Sequence, residues 1–239
     1  MATIRESLVQ ALALHRSGRA DEAARLYRAV LEREPDNADA LNLLGVAVLQ
    51  AGRADEAEAL LARAAASRPA SADIHVHHAQ ALTALRRADD AAAAWRRVVA
   101  LTPADAAAWF SLGDALTASQ QFEQAADAFG KAATMAPSVA EYHVACGVAA
   151  RKLGRLDDAE AAYRRALALS PGLAEAHANL GNLLQQERKL EDALDSYRRA
   201  LALKPTMFRS VMQNLSTAGR GRLWLSLSAA RRALGAPER

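Results

Sequence analysis

The sequence predicts an all-α fold in which antiparallel helix pairs stack as an array. Six prolines recur 34 residues apart: Pro35, Pro69, Pro103, Pro137, Pro171 and Pro205. A fixed period of this length is typical of arrays whose unit is one small supersecondary motif. Hydrophobic residues make up 51% of the chain but aromatic residues only 5%. The abundant alanine favours helix, because alanine loses no rotamer freedom in a helix.

Each 34-residue unit follows a template that is clearest in the fourth unit. It reads Trp109-x-x-Leu112-Gly113-x-x-Leu116, then Ala125-x-x-x-Phe129, and closes at Pro137. The small residue at the eighth place of the unit is predicted to let two helices approach closely, and the alanine at the twentieth place does the same. The large residue four places later shares a helical face with that alanine and is predicted to fill space against the next unit. Proline ends the second helix, because it lacks an N–H and disfavours helical dihedrals in the residue before it.

The period divides the chain into six repeats and a C-terminal segment. The predicted boundaries are 4–37, 38–71, 72–105, 106–139, 140–173, 174–207 and, for the C-terminal segment, 208–239. The first half of the first repeat departs from the template, as expected where an array ends against water. A polar turn near Arg19 and its equivalents is predicted to join the two helices of a repeat, with acids following at the start of the second helix.

The C-terminal segment is predicted to cap the array with two helices. Apolar residues at helical spacing predict a seventh first helix: Phe208, Val211, Met212 and Leu215. Gly219 and Gly221 are expected to end it. A second helix is predicted by apolar residues on one face, Leu223, Leu227, Ala230 and Leu234, with Trp224 beside them.

These residues and spacings resemble the tetratricopeptide repeat family over residues 4–207. The resemblance implies a right-handed α-solenoid of antiparallel helix pairs. In such a superhelix the first helix of each repeat lines a concave groove, and the second helices form the convex back. The resemblance also implies a protein–protein interaction module or scaffold that binds a peptide segment or a partner helix in the groove.

No enzymatic chemistry is predicted. The chain has no phosphate-binding glycine loop, no dinucleotide fingerprint and no nucleophile elbow. We therefore predict no catalytic residue and no cofactor. The alternative is a metal site at His75 and His78, which are spaced to share one helix face. Packing is the preferred interpretation, since His75 occupies the same place in its repeat as His143 and His177. No metal site is predicted, and Cys146 is expected to be a small buried hydrophobic residue.

Charge and hydropathy argue against a nucleic-acid or membrane partner. The net charge is +3, but residues 208–239 hold six arginines and one glutamate, so the repeats themselves are slightly acidic. Nucleic-acid binding favours a basic face with stacking aromatics, which the repeats lack. No stretch is long and apolar enough for a membrane span, and the N-terminus does not resemble a secretory signal. The alternative role for the segment around Trp224 is at a membrane surface, and capping is the preferred interpretation. With one cysteine, a cytoplasmic location is expected.

The residues that the template leaves variable on the first helices are the candidate partner-binding residues. They are Asn42, Val46, Val76, Gln80, Phe110, Asp114, Val144, Val148, Arg151, Asn179 and Asn182. The valines and Phe110 predict an apolar floor. An acidic edge is predicted from Asp39, Asp73, Glu141 and Glu175, with Arg151 and Lys152 as the main cations.

This lining favours an amphipathic helix or an extended segment that carries a few basic residues. The lysine, asparagine and arginine clamp of some family members is not assembled in three consecutive repeats. The asparagine ladder found in protein O-glycosyltransferases is represented only by Asn179. Two alternatives stay open: the chain is the substrate-recruiting region of a larger bacterial transferase (glycosyltransferase, sulfotransferase or methyltransferase type), or it forms homo-oligomers through its end repeats.

Overall fold

The computed structural model describes residues 3–216 and Leu234, and every regular element in them is helical. The thirteen α-helices of these residues are α1 Ile4–Arg16, α2 Ala20–Arg33, α3 Ala38–Gln50, α4 Ala54–Ser67, α5 Ala72–Ala84, α6 Ala88–Leu101, α7 Ala106–Ala118, α8 Phe122–Met135, α9 Ala140–Lys152, α10 Leu156–Leu169, α11 Ala174–Gln186, α12 Leu190–Leu203 and α13 Phe208–Ser216. A 3₁₀ turn, Pro205–Met207, precedes α13. The predicted all-α solenoid of repeated helix pairs is confirmed.

The chain forms two compact bodies. The N-terminal body spans Met1–Gln121 and the C-terminal body spans Phe122–Arg239. In the N-terminal body, α1 pairs with α2, α3 with α4 and α5 with α6, and α6 also packs against α7. In the C-terminal body, α8 packs against α9, α9 pairs with α10 and α11 pairs with α12. We call α1, α3, α5, α7, α9, α11 and α13 the first helices.

The second helix of each pair ends two residues before a proline, as predicted. Helix α4 ends at Ser67, and the next residue, Arg68, has φ −137° and ψ 73°. Thr102, which follows α6, has φ −128° and ψ 66°. Both residues have left the α region, which a following proline disfavours in the residue before it. The proline therefore stops the helix and turns the chain towards the next first helix.

The turn inside each pair contains one residue in the left-handed backbone region, again at 34-residue intervals. Three of these residues are glycines, Gly18, Gly52 and Gly154, with φ of 82°, 78° and 74°. The other three carry side chains, Arg86, Gln120 and Arg188, with φ of 56°, 61° and 65°. This conformation costs a residue with a Cβ atom about 1–2 kcal/mol, whereas it has no steric cost for glycine. Half of the turns therefore store backbone strain.

Replacing Arg188 with glycine should raise the free energy of unfolding by about 0.5–1 kcal/mol, after allowance for the greater freedom of glycine in the unfolded chain. The Arg188 side chain is exposed, so little packing is lost. Urea unfolding followed by circular dichroism measures the change. The reverse substitution, Gly154→Ala, serves as the control and should be destabilising. A lower midpoint for Arg188→Gly would show that its side chain contributes more than its backbone strain costs.

Glycine at the eighth place of a repeat sets the distance between paired helices. A Cβ atom added to Gly45 would lie 2.6 Å from Cγ of Leu61. One added to Gly147 would lie 2.5 Å from Cε1 of Tyr163. Both distances are too short for real atoms, which confirms that the small residue permits close approach. The large residue thus covers the glycine of its own repeat, a contact that the template did not reveal.

The large residue also joins its repeat to the next one. Tyr163 is fully buried in a core cluster that includes Leu180 and Leu183 of α11. Tyr27 and Leu61 share the corresponding cluster of the N-terminal body. In each body the core therefore includes such side chains, which are buried together with residues of the next helix pair.

The apolar stripe of the C-terminal segment forms helix α13, as predicted. Val211, Met212 and Leu215 are buried in the same cluster as Tyr197 of α12. Leu234 is buried in that cluster too. The predicted end of the helix at Gly219 and Gly221, and the second capping helix with Trp224, lie outside the described residues.

The histidines at the fourth place of a repeat bind the proline turn that precedes them. His75, His143 and His177 each place Nε2 3.0 Å from the carbonyl oxygen of the proline six residues earlier, and Nε2–H donates to it. Trp109 Nε1 donates to the Pro103 carbonyl over 2.9 Å in the same way. Packing is therefore the role of His75. Among the described residues, no group of three or more histidine, cysteine, aspartate and glutamate side chains is arranged to hold a metal ion.

Candidate partner-binding surface

The first helices of the N-terminal body lie side by side. Helix α1 contacts α3, and α3 contacts α5. Polar side chains join neighbouring helices: His15 Nε2 lies 2.9 Å from Gln50 Oε1, and His77 Nδ1 lies 2.8 Å from Asn42 Oδ1. Since an amide oxygen can only accept, the histidine donates in both bonds. The candidate residue Asn42 is thus already held by α5.

A recess of about 510 Å³ opens between α5, α6 and α7. Its polar lining consists of Gln80, Thr83, Arg86, Ser111 and Asp114. Its apolar lining consists of Ala88, Ala91, Trp95, Ala115 and Ala118. A mostly apolar cavity of this size with a few polar groups is typical of ligand-binding pockets. The recess therefore brings together two of the candidate residues, Gln80 and Asp114.

Asp114 is the electrostatically unusual group of the recess. Its side chain is accessible from the open side, but burial by the surrounding protein raises the pKa of its carboxyl from the ordinary 3.8 to about 6. The folded chain therefore holds this proton more tightly than the unfolded chain. Folding stability falls as the pH rises from about 4 to about 6, and above that range the fold bears the full cost of the charged carboxylate.

No cation in the recess neutralises Asp114. Arg86 is the other ionisable residue of its lining, and no ion pair joins the two side chains in the part of the chain that the structure describes. Arg86 itself is exposed at the turn after α5. The carboxylate is therefore unpaired in the free protein.

Only two of the four carboxylates in the predicted acidic edge are available to a partner. Arg68 donates two hydrogen bonds to the carboxylate of Asp39, over 2.7 and 3.0 Å. Lys204 donates to Glu175 over 2.6 Å. Within the described residues, Asp73 and Glu141 have no such ion pair. Two of the four predicted edge charges are therefore already neutralised by residues at the ends of second helices.

In the C-terminal body, the candidate residues contribute to the packing as well as to the surface. Val144 and Val148 are half-buried and pack against the core cluster. Arg151 is half-buried, and its Nε atom has no hydrogen-bond partner. Burial raises the pKa of the neighbouring Tyr163 hydroxyl, and Arg151 opposes part of that increase.

Asn182 belongs to a polar network among α11, α12 and α13. The Tyr197 hydroxyl lies 2.7 Å from Asn182 Oδ1 and 2.9 Å from Gln185 Oε1, so its single proton serves one acceptor at a time. Asn214 Nδ2 donates to Asn182 Oδ1 over 2.7 Å, and Gln185 Nε2 donates to the Asn214 carbonyl over 2.8 Å. The amide oxygen of Asn182 therefore already accepts hydrogen bonds within the C-terminal body.

Comparison with protein families decides the classification. Tetratricopeptide repeat models match residues 14–84, 77–140, 116–174 and 174–207, an unbroken range from 14 to 207. The chain belongs to the tetratricopeptide repeat family. No curated protein matches it in sequence.

Solved tetratricopeptide repeat structures share the fold. MamA 41-end from Desulfovibrio magneticus RS-1 is 23% identical with a TM-score of 0.63, and the match covers 71% of this chain and 96% of that one. YrrB, described as a TPR protein with an unusual peptide-binding site, is 16% identical with a TM-score of 0.66, covering 80% and 97%. A double mutant of MamA RS-1 is 22% identical with a TM-score of 0.66, covering 70% and 94%. At these identities the likeness concerns the fold alone.

The tetratricopeptide template explains which recess residues sequence reasoning missed. Trp95 and Arg86 both line the recess, but the template assigns Trp95 to the core and Arg86 to a turn. The available signal was the third repeat itself, which has Ala79 where four of the other repeats have glycine and arginine where three turns have glycine. Ser111 also lines the recess and was not among the candidate residues.

The remaining candidate residues of these tetratricopeptide repeats stay predictions. Val46, Val76 and Phe110 are half-buried on the first helices of the N-terminal body, and Asn179 is half-buried on α11. Cys146 is half-buried, less than expected, and burial raises the pKa of its thiol. In the part of the chain that the structure describes, no helix has the length and apolar character needed to cross a bilayer.

Proposed function

We propose that this tetratricopeptide repeat protein is a non-catalytic interaction module that binds a polypeptide segment, either an extended peptide or a partner helix, on its first helices. The recess between α5, α6 and α7 is the observation that carries the proposal. YrrB, which has the same fold, is described as having a peptide-binding site. The cytoplasm is the compartment that we propose for this interaction.

The chemistry of the N-terminal body suits a polypeptide ligand. Half-buried Val76 and Phe110 supply apolar contact area on α5 and α7. Gln80 and Ser111 supply hydrogen-bonding groups at the recess. Peptide recognition on helical repeats combines these two elements, because side-chain pockets give specificity while polar groups hold the peptide in register.

Blocking the recess should abolish binding of peptides selected against the protein. A random dodecapeptide library displayed on phage is panned on the full chain, and enriched peptides are synthesised with a fluorophore for polarisation measurements. Gln80 is exposed at the recess, so Gln80→Tyr fills the cavity at little cost to the fold. We expect this variant to bind the enriched peptides at least tenfold more weakly.

The matched control adds the same aromatic ring elsewhere. Ala59 is exposed on the second helix α4, and Ala59→Tyr should change affinity by less than twofold. Equal weakening by both variants, or full affinity in Gln80→Tyr, would contradict the proposed site. Failure to enrich any peptide would contradict the proposed ligand class, and light scattering across concentrations would then test self-association through the end repeats.

A further inference from the structure

We propose that the recess of the N-terminal body receives a basic side chain, lysine or arginine, of the partner polypeptide, with its cation at the Asp114 carboxylate. This inference rests on the proposed function, because it names the chemistry of the residue that enters the same recess. It goes beyond the general expectation of a few basic residues by assigning one cation to one carboxylate.

The first support is the unpaired charge. Asp114 lies in a cavity whose α6 wall contributes only alanine and tryptophan side chains, and no cation lies within ion-pair distance of it in the described residues. The carboxylate is accessible from the open side, but the surrounding protein removes part of its hydration, and an incoming cation would offset that cost. This partial desolvation raises the pKa of the Asp114 carboxyl in the free protein.

The second support is the shape and lining of the recess. A lysine or arginine side chain is an apolar stem that carries a charge at its end. The alanines and Trp95 provide a surface along which such a stem can lie.

An acidic side chain suits the recess less well. Arg86 is the positive group of the lining, but it belongs to the turn after α5, whereas Asp114 lies within α7, one of the helices that wall the recess. An acid entering the cavity would instead meet the carboxylate of Asp114. The charge on the helical walls of the recess therefore favours a cation.

The test uses the phage-selected dodecapeptides with the variant Asp114→Asn. Asparagine keeps the size of the side chain and removes its charge, so thermal unfolding should show a folded protein. We expect enriched peptides to share a lysine or arginine whose replacement by methionine weakens binding to the unaltered protein at least tenfold. The same replacement should change binding to Asp114→Asn by less than threefold, as a double-mutant cycle requires of a direct pair.

The pH dependence gives a second readout. Of the groups that line the recess, Asp114 on α7 titrates near pH 6, Arg86 after α5 is the other ionisable residue, and α6 contributes none. Binding to the unaltered protein should weaken about tenfold between pH 7.5 and pH 5, because most free carboxyls are then protonated. Binding to Asp114→Asn should vary much less over this range.

Asp21→Asn is the matched control, since it removes an exposed carboxylate of the same body from the second helix α2 and not from a first helix. Equal weakening by both substitutions would reduce the effect to general electrostatics and overturn the assignment. Peptides that lose affinity for Gln80→Tyr but carry no shared basic residue, or bind Asp114→Asn normally, would overturn the assignment while the proposed function stands. If no peptide binds the recess, the proposed function and this inference fail together.

Discussion

Replacing Gly147 with alanine should lower the free energy of unfolding by about 1–2 kcal/mol, even though alanine is the better helix former. The added Cβ atom would lie 2.5 Å from Cε1 and 2.7 Å from Cδ1 of Tyr163. The Tyr163 ring is fully buried, so it cannot swing into solvent. Helices α9 and α10 must therefore separate, and the contacts between them weaken. Equilibrium unfolding in urea measures the loss.

Gly130 supplies the matched control in the same body. It lies inside helix α8, and a Cβ atom added there would meet nothing within 4 Å. Alanine at this position should therefore raise the free energy of unfolding by about 0.5–1 kcal/mol, through helix propensity alone. The two substitutions are chemically identical and should act in opposite directions. Stabilisation by both would mean that α9 and α10 can move apart at no cost.

Replacing Tyr197 with phenylalanine should lower the free energy of unfolding by about 1–3 kcal/mol. The substitution removes the proton that the Tyr197 hydroxyl shares between Asn182 and Gln185. Because these acceptors lie in the packed region around Tyr197, the loss is larger than for an exposed hydrogen bond. Thermal unfolding of the variant checks this, and weakened docking of α13 should accompany it.

Tyr27 occupies the same place in the first repeat and gives the contrasting result. Its hydroxyl is buried, and in the structure it has no hydrogen-bond partner. Tyr27→Phe removes a buried unsatisfied group and should leave the free energy of unfolding unchanged or raise it by about 1 kcal/mol. A loss as large as that of Tyr197→Phe would show that the Tyr27 hydroxyl is satisfied in solution.

The candidate surface was only partly predictable from the sequence. Gln80 and Asp114 were selected because the template leaves their places variable, and both line the recess. Asn42 and Asn182 were selected for the same reason, yet their amide oxygens accept bonds from His77 and Tyr197. The sequence does not show whether an asparagine on the first-helix face forms its hydrogen bonds with solvent, with a ligand or with a side chain of the next helix.

The histidines also show which contacts the sequence predicts and which depend on the folded structure. The spacing of His75 and His78 suggested a metal site as an alternative to packing, because sequence shows which side chains share a helix face. The donation from His75 to the Pro69 carbonyl depends on how the preceding turn folds back, which no local pattern encodes. In the second repeat Leu41 has no donor, and Arg63 from α4 donates to the Pro35 carbonyl instead, over 2.6 Å.

The sequence by itself determined the helices and where they end. Proline stops each second helix within a few residues of the chain, and small residues mark the close approach of the two helices within one repeat. Both signals recur every 34 residues. Only the tertiary structure decided which charges are free. Arg68 neutralises Asp39 from 29 residues away, whereas Asp114 is left unpaired beside Trp95. The reason is that Coulomb interactions and desolvation depend on distances between helices, and those distances exist only after the pairs have packed.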